Sequence, residues 1–206
     1  MDICWKLIQS CWFFFWGNTF GRIIYDSKYL KGRWFEGKAC GLRSVGWRWV
    51  TKDMFSRLFC SDNNKSKYPI NCNCTVVHPS NIEFDPDDLN NFQTKGSYFQ
   101  AIGKIKIGKG TFIAPNVGLI TSNHDLMNPD KHLPPKAITL GKQCWIGMNS
   151  VLLPGVVLGD HTIVGAGSIV TKSFPDGYCV IAGNPAKKIR ELDVMKEMSN
   201  CDHYKE

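Results

Sequence analysis

The sequence predicts a mainly β chain, built as a solenoid of short parallel strands. Two features of its second half carry that prediction. An aliphatic residue recurs every six positions at Leu140, Ile146, Leu152, Leu158, Val164 and Val170. A small or modest residue follows each of the first five by four places, at Cys144, Ser150, Val156, Thr162 and Ser168. A period of six fits neither one helical stripe nor simple strand alternation. It fits a repeated strand and turn, in which the aliphatic enters a narrow interior shared with the small residue. Glycines at 141, 147, 159 and 165 sit next to four of the aliphatics, where a sharp corner is needed. One round cannot bury its own face, so the rounds must stack.

The same spacing extends upstream as Ile107, Ile113 and Leu119, and more weakly as Ile70, Val76 and Ile82. Leu119 and Leu140 are 21 residues apart, three repeats plus three residues, so an insertion breaks the register between them. The expected organisation is an N-terminal helical or irregular extension over 1–65 and a solenoid over 66–184 with a protruding loop at 122–137. A C-terminal helix and tail over 185–206 completes it, with Ile189, Leu192, Met195 and Met198 at helical spacing.

The chain has 206 residues and a formal net charge of +7. Residues 1–66 hold 11 Lys/Arg against 5 Asp/Glu, so the basic character lies in the N-terminal third. Such a segment meets anionic lipid or a phosphorylated ligand, or it is a solvated surface; a nucleic-acid partner is not expected. The run Cys11–Trp16 lies in an apolar stretch too short for a bilayer span of about 20 residues. It is an interfacial anchor on the inner membrane face, involving residues 1–60, or a helix packed on the fold or on a neighbouring subunit. Nine cysteines with no zinc-like pairing of pairs suggest reduced thiols in a cytoplasm, several of them buried as small apolar residues.

The stretch from Ile107 to Leu192 resembles the hexapeptide-repeat acyltransferases. TLGKQCWIGMNSVLLPGVVLGDHTIVGAGSIVTKSFPDGYCVIAGNPAKKIREL is similar to the C-terminal half of galactoside and maltose acetyltransferases. GSYFQAIGKIKIGKGTFIAPNVGLITSNHD is closer to the O-acetyltransferases of bacterial capsules, exopolysaccharides and O-antigens. The resemblance covers about residues 66–192. It implies a left-handed parallel β-helix, a homotrimer with sites between subunits, and acetyl transfer from acetyl-coenzyme A to a saccharide hydroxyl without a metal. Other acceptors of the same fold, namely an amino sugar, serine or an antibiotic, remain as alternatives.

Acetyl transfer from a thioester to an alcohol needs a base for the hydroxyl proton, and neutral histidine suits that task. Of five histidines, His124 stands in Thr121-Ser-Asn-His-Asp125, where the hexapeptide register breaks. It also matches the family's catalytic histidine. Asn123 and Asp125 are candidates to orient the ring or touch the acceptor. His132, in the same loop, is a weaker acceptor-site candidate, while His161 falls at an outward position. The resemblance further implies a coenzyme A site at Trp145, Gly147, Ala166, Gly167, Thr171, Lys172, Lys187 and Arg190. Val151 and Val157 are expected on the same outer strip as Trp145. The galactoside and maltose enzymes carry proline after this histidine; here it is Asp125, which favours the polysaccharide branch. A metal-dependent hydratase would need a close histidine pair and a third ligand, and His124 and His132 are eight residues apart.

Overall fold

The computed structural model describes residues 3–36, 41–59 and 65–193. Two helices come first, α1 (Ile3–Ile24) and α2 (Val45–Ser56). They cross at Gly17 and Gly21: a Cβ on Gly21 would stand 2.6 Å from Val50 Cγ1, so its absence lets the helices close. Below the crossing, a buried network ties the helices to the solenoid. Asp53 Oδ2 accepts from Tyr25 Oη at 2.7 Å, Arg57 Nη2 at 2.9 Å and the Ile70 amide at 3.2 Å. Burial raises the Asp53 carboxyl above its ordinary range, against the pull of Arg57.

The strands then follow in rounds. β1 (Thr75–Val77) and β2 (Ile82–Glu83) begin the stack. β3 (Tyr98–Gln100), β4 (Ile105–Ile107) and β5 (Phe112–Ile113) form the next round. β6 (Gly118–Ile120), β7 (Ile138–Leu140) and β8 (Trp145–Ile146) form another, and β9 (Val151–Leu152), β10 (Val157–Leu158) and β11 (Thr162–Val164) the one after. β12 (Ile169–Val170), β13 (Cys179–Gly183) and β14 (Ala186–Glu191) close the described chain. Three sheets result: β1-β3-β6-β9-β12, β2-β4-β7-β10, and β5-β8-β11-β13-β14. All neighbours are parallel except β13 and β14. From β4 to β12 the chain thus visits second, third and first sheet in turn, one six-residue repeat per strand apart from the insertion between β6 and β7.

The six aliphatics from Leu140 to Val170 are all at most 1% exposed, and Val76, Phe99, Leu119, Leu152 and Val170 form one continuous inner row. Burying each such side chain stabilises the fold by about 1.5–3 kcal/mol. The small positions contribute more than volume. Thr111 Oγ1 donates to Gly141 O at 2.7 Å, Ser150 Oγ to Gly165 O at 3.0 Å and Thr162 Oγ1 to Gly159 O at 2.8 Å, satisfying corner carbonyls that face inward. At one corner the glycines stack so closely that a Cβ on Gly141 would lie 2.5 Å from Gly159 C and Asp160 N. Among the described cysteines, Cys74, Cys144 and Cys179 are buried and Cys11 and Cys72 exposed, and none of the five forms a disulfide.

The ends are closed by different devices. At the start, Asn91 imitates a neighbouring strand for β5: its side chain donates to Thr111 O at 2.8 Å and accepts from Ile113 N at 2.8 Å. Above it an aromatic cluster, Tyr29, Tyr68, Phe84, Phe92 and Phe99, runs from the extension into the interior, with ring centroids 4.6–5.2 Å apart. At the far end, the expected helix from Pro185 is corrected. Ala186–Glu191 forms β14, antiparallel to β13, because β13 would otherwise expose a full row of unpaired backbone groups. Ile189, assigned to the helix's apolar stripe, is instead the extra residue at a bulge and is exposed. Met195 and Met198 lie outside the described residues.

Candidate active site

The insertion leaves the corner between β6 and β7 and folds back on itself as a hairpin. Its base is anchored by Thr121 and Ser122, both buried. Thr121 Oγ1 donates to Gln100 O at 2.5 Å and accepts from Gly103 N at 2.9 Å. The Ser122 amide donates to Gln100 Oε1 at 2.9 Å, and its hydroxyl to Leu133 O at 2.8 Å. Beyond the base, Asp125 N donates to Lys131 O and Leu133 N to Asn123 O, both at 2.8 Å. These bonds flank the antiparallel pair His124 and His132. That makes it a non-hydrogen-bonded pair, the kind in which opposed side chains lie closest. The two imidazoles are accordingly 4.2 Å apart between centroids, tilted by 37°. Spacing along the chain gave no sign of this contact; the hairpin makes it.

His124 Nδ1 lies 2.5 Å from Pro129 O. A carbonyl only accepts, so this contact requires the Nδ1–H tautomer and leaves Nε2 as the lone-pair nitrogen. The orienting group is therefore a backbone carbonyl of the loop tip. Asp125 is engaged elsewhere: its Oδ1 accepts from Met127 N at 2.8 Å and Asn128 N at 3.0 Å, shaping the turn that presents Pro129. The Asn123 side chain is exposed, and its carbonyl belongs to the hairpin.

The expected coenzyme A residues separate into three places. Trp145, 56% exposed, sits on the outer face of the third sheet. Its row there is Phe112, Trp145, Ile163, Val180 and Arg190, linked by register from β5 to β14. The β14 bulge brings Lys187, paired with Ala182, onto the same outer face as Arg190 despite the spacing of three. Thr171 and Lys172 lie at the corner between the first and second sheets, the corner the His124 loop leaves. Lys136, at the loop's end, approaches Gly155 there, and Ser173 Oγ bonds Gly155 O at 3.3 Å. Ala166 and Gly167 are exposed at the corner between third and first sheets, with open space around Gly167. Gly147 is buried; a Cβ there would meet Val164 O and Ala166 N at 2.6 Å. Its smallness is required by coil stacking.

The expected strip of Trp145, Val151 and Val157 is also corrected. Six residues move the chain to the next sheet, so these three face three different directions on β8, β9 and β10. One full round is 18 residues, which makes Ile163 the neighbour of Trp145. His161 does sit at a corner, with φ of 54° and its ring stacked on Tyr178 at 4.8 Å. Among the described residues, no group of three His, Cys, Asp or Glu is arranged to hold a metal ion.

Three parallel sheets visited in six-residue steps, with one histidine-bearing loop, define a hexapeptide-repeat protein. Residues 137–172 match the family model described as bacterial transferase hexapeptide (six repeats). A Dictyostelium discoideum protein provisionally named an acetyltransferase is 38% identical over 149 residues, 71% of this chain and 75% of its own. Galactoside O-acetyltransferase of Escherichia coli (strain K12) is 40% identical over 92 residues, 43% of this chain and 45% of that protein. A provisionally named colanic acid biosynthesis acetyltransferase of the same strain is 39% identical over 90 residues, 44% and 49% of the two chains. The chain belongs to the hexapeptide-repeat acetyltransferases. It spans about half the length of the galactoside and colanic acid relatives.

Proposed function

We propose that this protein is a left-handed parallel β-helix enzyme that transfers the acetyl group of acetyl-coenzyme A to a saccharide hydroxyl, with His124 as general base. The observation that carries this reading is the Nδ1 contact with Pro129 O, which in the neutral ring puts the lone pair on Nε2, a nitrogen without a hydrogen-bond partner among the described residues. In the reaction the acceptor oxygen attacks the thioester carbonyl carbon while Nε2 takes the hydroxyl proton. The tetrahedral intermediate collapses, the C–S bond breaks, and the proton returns to the departing thiolate. Such a base contributes typically 10²–10⁴-fold.

The shared outer face of Trp145, Lys187 and Arg190 supports a site for a long anionic cosubstrate, with an aromatic for its apolar parts and cations for its phosphates. Thr171 and Lys172, on the corner of the His124 loop, belong to the other part of that site. A homotrimer in which the third-sheet face of one subunit packs on the loop-bearing corner of the next would bring the two groups together. Asp125 after the histidine and the relatives named for sugar and colanic acid acetylation favour a saccharide of a surface polysaccharide, made in the cytoplasm, where the acetyl donor is.

The test is thiol release from acetyl-coenzyme A over a panel of saccharide hydroxyls with an amino sugar, serine and chloramphenicol as contrasts. His124→Ala should lower turnover at least about 100-fold while circular dichroism and oligomeric mass stay those of the parent. Unchanged turnover rules His124 out as base. Preference for an amine acceptor replaces the saccharide-hydroxyl reading with the amino-sugar one.

A further inference from the structure

The outer side of α1 is apolar where a free-standing helix would be polar. Trp5, Ile8, Trp12, Phe15 and Ile23 recur at helical spacing opposite the Gly17 and Gly21 crossing, and Ile23 is 79% exposed. Phe55 stacks on Trp12 at 5.6 Å and carries the patch to Leu58 and Phe59, 73% and 88% exposed. α1 contains no Asp or Glu. Between α1 and the start of α2, a cleft of about 370 Å³ is lined by Lys6, Arg43 and Arg48, together with Ser10 and Ser44. None of these three cations has an ion-pair partner among the described residues. No helix among those residues is long and apolar enough to cross a membrane.

We infer that this face docks on an anionic lipid bilayer, with α1 lying in the plane of the interface. The Trp and Phe stripe would sit at the boundary of headgroups and acyl chains, where aromatic side chains are favoured. Lys6, Arg43 and Arg48, long side chains at the cleft between the two helices, would reach lipid phosphates. The charge selects this occupant over a second copy of the chain. Residues 1–66 hold 11 Lys/Arg and 5 Asp/Glu, so two such faces brought together would oppose like charge, whereas an anionic bilayer supplies the opposite sign.

Flotation of the full chain with phosphatidylcholine vesicles, with and without phosphatidylglycerol, tests the inference. The chain should float with the anionic vesicles at low salt and be released at high salt. Arg43→Gln and Arg48→Gln should each weaken binding about fivefold. The combined Ile8→Ser, Phe15→Ser and Ile23→Ser variant should weaken it at least about tenfold. Because Arg43 and Arg48 are solvent-facing, their variants keep the test valid if the triple variant fails to fold. Failure of the folded parent to float at low salt overturns the inference. So does equal binding to uncharged vesicles. A triple variant that floats like the parent but falls from oligomer to monomer overturns it in favour of an interface between copies.

Discussion

Replacing Thr121 by Val isolates the joint between the solenoid and the histidine loop. Valine keeps the β-branched shape and the methyl but loses Oγ1, which donates to Gln100 O at 2.5 Å and accepts from Gly103 N at 2.9 Å. Thr121 is fully buried and a valine methyl fills the place of Oγ1, so no water can take that position. The lost donation is worth about 1 kcal/mol, and leaving the Gly103 N–H without a partner costs about 1–3 kcal/mol. The sum is roughly 2–4 kcal/mol, which for a chain of this length lowers the melting temperature by roughly 4–16 °C. Urea denaturation followed by circular dichroism measures it, with a midpoint shift and no change in slope. Thr121→Ser keeps both bonds and loses only a methyl, so it should cost under about 1.5 kcal/mol. Because the joint also positions His124, acetyl transfer at a temperature where the Val variant is folded should fall while the Ser variant retains it. A Val variant as stable as the parent, or a Ser variant as damaged as the Val one, would refute this account of the joint.

Other outcomes follow from single contacts. Leu152→Ala empties the middle of an inner row and should cost about 2–5 kcal/mol in denaturant titrations. Gly141→Ala drives a Cβ to 2.5 Å from the backbone of the next round; it should destabilise by at least about 1–3 kcal/mol, with the loss read as a lower melting temperature. Asp53→Ala takes the carboxylate from the largely buried guanidinium of Arg57 and the acceptor from the Tyr25 hydroxyl and the Ile70 amide, and should cost about 3–5 kcal/mol, whereas Asp26→Ala, on an exposed carboxylate, should be nearly silent. Burial pushes the Cys74 thiol up to about 12, so near pH 8 it stays protonated and shielded. A thiol reagent followed by peptide mapping should label Cys11 and Cys72 at once, and Cys74, Cys144 and Cys179 only on unfolding.

Which residues turn inward was legible in the chain, because a solenoid is a local code. Each strand is followed by its corner within six residues, so Leu140 to Val170 report their own burial without distant partners. The broken register likewise marked the loop, and the one histidine at its mouth marked the candidate base. Three-dimensional packing decided what lay beyond that local code. The tautomer of His124 depends on Pro129 O, a backbone atom with no side-chain signature, and the His124–His132 contact depends on a hairpin register. Gly147 reads the same whether it makes room for a ligand or for Ala166. Ala186–Glu191 has the residues of a helix, yet the unpaired edge of β13 offers a row of hydrogen bonds that local preference cannot match. Short-range periodicity determined the interior and the exit of the loop; which atoms meet at the site was settled by backbone groups and edges, which no side-chain pattern encodes.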